Sequence, residues 1–205
     1  MSETEYQHLS DEQLAGWVKH NDHAAYTELI RRYQNKLYPY LVRLVGDEDD
    51  ALDLVQDTFL KVYEQIQGFD EGRKFSSWVY RIAHNSGLNH LKKHSRTLKM
   101  DQKQMAQVLD RQVRLDDFFA GTFQHEDLEA LMMVVNQLKP AYKDVLLLYF
   151  YEEKSYDEIS DILKLPVSTV GVRLNRAKKR LKKLYTAPQH KRSSRGEAHE
   201  TTQKN

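Results

Sequence analysis

Along most of this chain apolar residues recur at three- and four-residue steps rather than in alternation, and only 8 Gly and 4 Pro interrupt its 205 residues. That period belongs to the α-helix, so the expected fold class is all-α. With hydrophobic residues at 40% and charged residues at 30%, the chain buries modest cores under a heavily charged surface, and its length suits one domain or two small ones.

The helices are punctuated by their caps. Ser10-Asp11-Glu12-Gln13 has the form of a capping box and opens a short helix through Leu14, Trp17 and Val18. A second helix runs from about Ala24 toward Val45, with Tyr26, Leu29, Ile30, Tyr33, Leu37, Leu41 and Leu44 as apolar positions. Pro39 is expected to kink or break it, and Gly46 to end it. The third starts in an acidic cluster that complements the helix dipole. Ala51, Val55, Phe59, Val62 and Ile66 form its apolar face, while Asp50, Asp53 and Asp57 lie on another. After a turn at 68–72, a fourth helix runs from roughly Ser76 to His94, completing a first domain over 10–95.

Periodicity weakens over 96–126, although Met105, Val108, Leu109 and Gln112 could support a short helix. A segment of this length without clear structure is normal between domains, so it reads as a linker; Phe118, Phe119 and Phe123 near its end have no assigned role. A second domain over 127–185 divides into four helices with short joints: 128–138, 140–151, 155–163 and 168–185. Residues 186–205 are polar and are expected to form a disordered tail.

Within the second domain, Ser155-Tyr156-Asp157-Glu158 is another capping box, and its helix buries Ile159, Ile162 and Leu163. A turn follows at Lys164-Leu165-Pro166, with Ser168 at the place of the next N-cap. Two short helices with a tight turn spell helix-turn-helix. In the second, Val167, Val170, Leu174, Ala177, Leu181 and Leu184 face the core, and Thr169, Arg173, Arg176, Lys179, Arg180 and Lys183 line the other side. Such a helix fits a major groove, its N-terminal half at base edges and its C-terminal lysines at phosphates.

A formal net charge of +1 conceals segregation. From Lys164 to Arg195 there are eleven basic residues and no acid; from Asp47 to Asp57 there are six acids and no Lys or Arg. The first composition suits a polyanion, and the second should avoid one. A further basic stretch, from Arg73 to Lys99, interleaves Arg73, Lys74, Arg81, Lys92, Lys93 and Arg96 with Phe75, Trp78 and Tyr80, which suits a nucleic acid whose bases can be unstacked.

Other chemistries are disfavoured. Zero cysteines exclude disulfides, thiolate zinc sites and cysteine nucleophiles. His90 and His94 stand four apart with His84 earlier, a metal-ligand spacing, but lysines surround them and no carboxylate or thiolate completes a set, so no metal or other cofactor is expected. No phosphate-cradling glycine loop, nucleophile elbow or His-Glu metalloprotease signature appears, and no enzyme activity is expected. The longest apolar run, Val145 to Tyr151, falls far short of the ~20 residues that span a bilayer. The N-terminus lacks a secretory layout. A cytoplasmic location without stable membrane insertion is expected.

Three motifs together resemble the bacterial extracytoplasmic-function sigma factors, the minimal two-domain sigma type. Asp53-Leu54-Val55-Gln56-Asp57-Thr58-Phe59-Leu60 is similar to the family's polymerase-binding helix. Phe75-Ser76-Ser77-Trp78-Val79-Tyr80-Arg81-Ile82-Ala83-His84-Asn85 is similar to the segment that opens and reads the minus-ten element. Leu138 to Val145, Tyr156-Asp157-Glu158-Ile159 and Pro166-Val167-Ser168-Thr169-Val170 resemble the domain that reads the minus-thirty-five element.

The resemblance implies a sigma factor that reads the minus-thirty-five element as duplex and the minus-ten element as melted strand. Its partners would be promoter DNA, core RNA polymerase through the clamp helices of the largest subunit and the beta flap, and an anti-sigma protein. Polymerase binding falls to Asp50, Asp53, Leu54, Gln56, Asp57 and Phe59. Minus-ten contacts fall to Phe75, Trp78, Arg81, Asn85, Asn89 and Lys92, with Phe75 and Trp78 holding or replacing a flipped base, although either ring could instead pack in the core. Minus-thirty-five contacts fall to Ser168, Thr169, Val172, Arg173, Asn175, Arg176, Lys179 and Arg180.

One departure stands out. Gly171 and Val172 occupy positions where many relatives carry polar side chains, so base reading leans on Thr169, Arg173, Asn175 and Arg176. Gly171 could allow close backbone approach to the duplex, and Val172 could touch a thymine methyl. Two alternatives stay open. One is a conventional helix-turn-helix regulator that needs neither the acidic motif nor the aromatic stretch; the other is a polymerase-binding regulator that has lost promoter reading.

Overall fold

The computed structural model describes residues 3–94 and 133–185. The first part holds α1 (Glu3–His8), α2 (Asp11–Lys19), α3 (His23–Val45), α4 (Glu48–Gln65), a 3-10 turn over Ile66–Gly68, and α5 (Phe75–His94). The second holds a helical turn at 133–136, α6 (Pro140–Leu146) continuing as a π-helical segment over Leu147–Tyr151, α7 (Tyr156–Leu163) and α8 (Val167–Tyr185). The proposed linker, its three phenylalanines, the 105–112 helix and the 186–205 tail lie outside the described residues.

Local chemistry explains the boundaries. Both capping boxes form: Ser10 Oγ accepts from Gln13 N while Gln13 Oε1 accepts from Ser10 N, and Ser155 and Glu158 do the same for α7. Asp22 and Asp47 cap α3 and α4 by accepting from Ala25 N and Asp50 N, each at 2.9 Å. Gly46 closes α3 in the left-handed conformation at φ 90°, where the missing Cβ removes the penalty. Lys164 takes the same conformation at φ 53° to end α7.

Three local expectations change. Pro39 lies inside a continuous α3; fully buried Leu37, Tyr40 and Leu41 around it hold the helix to the core despite the lost hydrogen bond. Ser168 is not an N-cap, because α8 already starts at Val167 and the Pro166 carbonyl accepts from Thr169 N and Val170 N. Val167, at that corner, is 41% exposed instead of facing the core; the inward stripe begins at Val170 and continues through Leu174, Ala177 and Leu181.

In the first domain, α3 packs against α2, α4 and α5. Gly87 lets α5 approach α3, since a Cβ there would lie 2.7 Å from Leu44 Cδ2. The N-terminal arm belongs to this domain as well. Arg32 donates to the carbonyls of Tyr6, Gln7 and Leu9 and to Asp11, Tyr6 donates to Asp22, and Tyr33 donates to Asp11.

The two domains also pack on each other, chiefly α5 against α7 and α3 against the π segment. An apolar core continues from one domain into the other, and polar pairs cross the seam beside it. Tyr80 donates to Glu152 at 2.5 Å, Arg43 Nη1 lies 3.8 Å from the same carboxylate, and Lys143 donates to the Leu44 carbonyl. His84 shares a hydrogen bond with Tyr40 through Nδ1 at 2.8 Å, and its Nε2 is 3.9 Å from Asp144.

Candidate nucleic-acid interface

The acidic helix α4 divides cleanly. Asp53, Gln56 and Asp57 are exposed, while Asp50 is half-buried with Oδ2 hydrogen-bonded to His90 Nε2 at 2.9 Å. Leu54 and Phe59, expected at a polymerase contact, are each 6% exposed and form part of the core; in the helical period they share a side with Ala51, Val55 and Val62, so they support the surface from below. The sequence reading missed the apolar members of that surface. Leu52 and Leu60 are exposed beside the acids, and Tyr63 continues the face where it leans on Tyr26. Steps of four and three from Leu52 through Gln56 and Leu60 to Tyr63 were the available signal.

At the start of α5, aromatic rings nest in order of depth. Phe75 is fully buried, 5.4 Å from Tyr33, 5.5 Å from Phe69 and 5.7 Å from Trp78 by ring centroids. It therefore cannot stack on a base as it stands; half-buried Trp78, which also leans on Phe69, is the outermost ring of the nest. The loop before α5 is anchored to α2: Lys19 donates to the Phe69 carbonyl and to Glu71, and Glu12 accepts from the Phe75 N–H at 3.0 Å, capping α5 from a distance in sequence. Beyond the nest Arg81 is half-buried, and Asn85, Asn89 and Lys92 are exposed. These residues recur at helical steps and give one face of hydrogen-bonding and cationic groups.

A cavity of about 320 Å³ opens beside this nest, lined by Phe69, Arg73, Lys74, Trp78 and Arg81 of the first domain and by Asp161 and Lys164 of the second.

The third surface is α8. Ser168, Val172, Asn175, Arg176, Lys179 and Arg180 are exposed, and Thr169 and Arg173 are half-buried. Arg173 lies within electrostatic reach of Asp144, and the Arg180 guanidinium stands 5.6 Å over the Tyr142 ring. Gly171 does not open the backbone toward a ligand: a Cβ there would meet Tyr156 of α7 at 3.5 Å, ordinary van der Waals contact inside the helix-turn-helix. Val172, 49% exposed, is the apolar side chain that faces outward.

Titration marks the seam rather than these faces. Burial lowers His84 from its ordinary 6.5 to about 4 and raises Asp144 from 3.8 to about 6, and it lowers Lys143 to about 8. Among the described residues no group of three or more His, Asp or Glu could hold a metal ion. His90 is bonded to Asp50 instead.

Comparison with known proteins supplies the family. Residues 29–97 match the Sigma-70 region 2 model and residues 128–181 the Sigma-70 region 4 model. The chain is 32% identical to an ECF RNA polymerase sigma-E factor of Haemophilus influenzae, over 83% of this chain and 92% of that protein. The chain belongs to the extracytoplasmic-function sigma factors. It is also 29% identical to the ECF sigma factor SigW of Bacillus subtilis, over 81% of this chain and 91% of that one. In fold it is similar to CnrH, solved with the cytosolic domain of CnrY, at a TM-score of 0.65 and 24% identity over 87% of this chain and 98% of that one. As a sigma factor it directs transcription initiation at promoters. Among the described residues no helix is long and apolar enough to cross a membrane.

Proposed function

We propose that this sigma factor divides promoter recognition between α5 and α8 and holds core RNA polymerase through α4. The exposed face of α4, with Asp53, Gln56 and Asp57 flanked by Leu52 and Leu60, suits an arginine-rich helical surface such as the clamp helices, through charge-assisted pairing around apolar contacts. On α5, Trp78 stacks on or replaces an unpaired base of the minus-ten element, while Asn85 and Asn89 reach base edges and Arg81 and Lys92 hold phosphates. On α8, Thr169, Arg173, Asn175 and Arg176 read the minus-thirty-five duplex, Val172 meets a thymine methyl, and Lys179 and Arg180 hold the backbone.

The observation that carries this division is the contrast at the helix starts. The α5 face begins with an aromatic nest of its own side chains, Phe75 beneath and half-buried Trp78 outermost, which duplex reading does not require; α8 itself carries no aromatic side chain before Tyr185, the ring nearest its start being Tyr156 of α7 against Gly171, and presents exposed cations with Asn175. We further propose an anti-sigma protein as a partner, by analogy with the complex of the sigma factor RpoE with the anti-sigma factor NepR from Bartonella quintana.

Purified protein added to core polymerase on genomic promoter fragments tests the proposal. Specific transcripts that start only when the protein is present are expected; tight duplex binding with no initiation would instead favour a conventional regulator. Selection of bound sequences is expected to give a minus-thirty-five preference with a thymine opposite Val172, and a selection indifferent to Val172→Ser would remove that contact.

A further inference from the structure

The corner that carries Phe69, Phe75 and Trp78 is held from outside its own segment. Helices α1 and α2 lie ahead of the region 2 match, which begins at residue 29, yet α2 grips the loop before α5 from both of its ends. Lys19 Nζ donates to the Phe69 carbonyl at 2.7 Å and to Glu71 at 2.9 Å, and Gln67 Nε2 donates back to the Lys19 carbonyl at 2.7 Å. At the other end Glu12 Oε1 accepts from the Phe75 N–H at 3.0 Å. Gly16, between them, leaves room for the loop: a Cβ there would lie 3.0 Å from Glu71 Oε2.

Helix α5 does not cap itself. Its first turn holds no acid, and the carbonyl that accepts from Trp78 N belongs to Lys74, whose side chain has no acceptor. Arg73 and Lys74 also put positive charge at the positive end of the helix dipole, where an anion is favoured. Those cations suit phosphates rather than the helix, and Glu12 supplies what the helix lacks, a carboxylate on an orphan N–H. Its neighbour Asp11 accepts from the Tyr33 hydroxyl, and the Tyr33 ring meets Phe75 edge-on at 5.4 Å. Adjacent acids of α2 thus fix the backbone and the ring of one residue. Phe75 in turn packs on Trp78 at 5.7 Å between ring centroids, and Phe69, whose carbonyl Lys19 holds, packs on the same indole at 5.1 Å.

We propose that α2 is a positioning element for minus-ten recognition, with Glu12 and Lys19 as its positioning residues. Neither touches the strand; both set the orientation of the ring that does. The proposal rests on the minus-ten role given above to Trp78. A base stacks best on a ring already held in place, because ordering the loop during binding would subtract from the contact. The brace is itself immobile: Arg32 of α3 donates to Asp11 at 2.7 Å and to the Leu9 carbonyl at 2.8 Å. Contacts therefore run from the core of the domain through α2 to the indole, and the choice among minus-ten sequences depends on a helix remote from the DNA.

The test uses the full chain assembled with core polymerase on a duplex library randomised at the minus-ten element, downstream of the minus-thirty-five sequence obtained by selection. Opening rate, minus-ten preference and polymerase affinity are read separately. Glu12→Ala and Lys19→Met are each expected to slow opening roughly tenfold and to flatten the preference, with polymerase affinity within about twofold of the parent. Glu12→Gln keeps an acceptor for the Phe75 N–H and Lys19→Arg keeps a donor for the Phe69 carbonyl, so both are expected to recover most of the loss. Leu41→Val controls for stability: it trims the core beside Gly87, well along α5 from the nest, and is expected to lower the melting temperature without changing the preference. Trp17 and Trp78 are the two tryptophans of the chain, so in a Trp17→Phe background iodide quenching of the free protein reports Trp78, and Glu12→Ala is expected to raise it. Opening and preference unchanged in Glu12→Ala and Lys19→Met while Trp78→Ala loses both, or flattening matched by Leu41→Val, overturns the positioning role and leaves the minus-ten reading standing. Opening and preference untouched by Trp78→Ala overturn the minus-ten reading and the positioning role together.

Discussion

Two basic helices, α5 and α8, carry similar side chains on very different foundations. The α5 face grows out of a core: Phe75 beneath it is fully buried among Tyr33, Phe69 and Trp78, its first N–H is capped by Glu12 of α2, and its neighbours Arg73 and Lys74 are paired across the domain seam. The α8 face rests on a narrow stripe of Val170, Leu174, Ala177 and Leu181, with Ser168, Val172, Asn175, Arg176, Lys179 and Arg180 open to solvent and Thr169 and Arg173 half-buried. A surface that must hold an extruded base needs rigid aromatic depth behind it, whereas a surface that reads a duplex needs reach and exposure. The difference between the foundations separates the two proposed tasks more sharply than the charges do.

Substitutions can break that comparison. The largest effect is expected from Phe75→Ala, which empties the nest and lowers stability by about 3–5 kcal/mol, seen as an early melting transition. Retention of full stability would mean that the ring is not a core element. Trp78→Ala comes next: it is expected to cost about 1–3 kcal/mol in strand binding while leaving duplex binding by α8 intact. Arg176→Ala is the mirror image, with a loss of about 1–3 kcal/mol for its preferred duplex and strand binding unchanged; equal losses on both ligands in either variant would erase the division.

A pH experiment probes the seam between the two foundations. Below about pH 6.5 the unfolded chain protonates His84, which the folded chain refuses until about pH 4, so this group lowers stability as pH falls. Asp144 acts oppositely. Folded, it takes up its proton near pH 6 rather than 3.8, so its contribution rises as pH falls through that window. The two offset each other in the wild type. Asp144→Asn leaves His84 alone, and its denaturant stability is expected to drop more steeply between about pH 6.5 and 4, by on the order of 1–3 kcal/mol relative to the parent. The smallest effect is Gly171→Ala, expected to stabilise α8 by up to about 1 kcal/mol, since a Cβ there finds ordinary contact with Tyr156; impaired duplex binding without loss of stability would restore a DNA-facing role for that glycine.

Much of the architecture was legible because it is local. Capping residues at Ser10 and Ser155, Gly46 as a stop and the inward stripe of α8 all act over a few residues, and sequence spacing displays them directly. Direction was less legible. Periodicity already sets Phe59 on an apolar face, but the motif locates Leu54 and Phe75 without saying that they turn inward; the packing of α4 and α5 against their neighbours decides that, and with it the outward turn of Leu52 and Leu60. The seam was invisible, because Tyr80 with Glu152 and Lys74 with Glu158 are separated by 72 and 84 residues, and such polar pairs leave no periodic trace. The same holds for Arg32, whose gathering of the Tyr6, Gln7 and Leu9 carbonyls ties the N-terminal arm to α3.

The central claim, that α5 works on an opened strand and α8 on a duplex, is tested most directly by permanganate reactivity of promoter thymines in the assembled polymerase complex. The wild-type protein is expected to give reactive thymines at the minus-ten element, and Trp78→Ala to lose them while the minus-thirty-five region stays protected from nuclease. Undiminished reactivity with Trp78→Ala, or reactivity abolished by Arg176→Ala while minus-thirty-five protection persists, would contradict it.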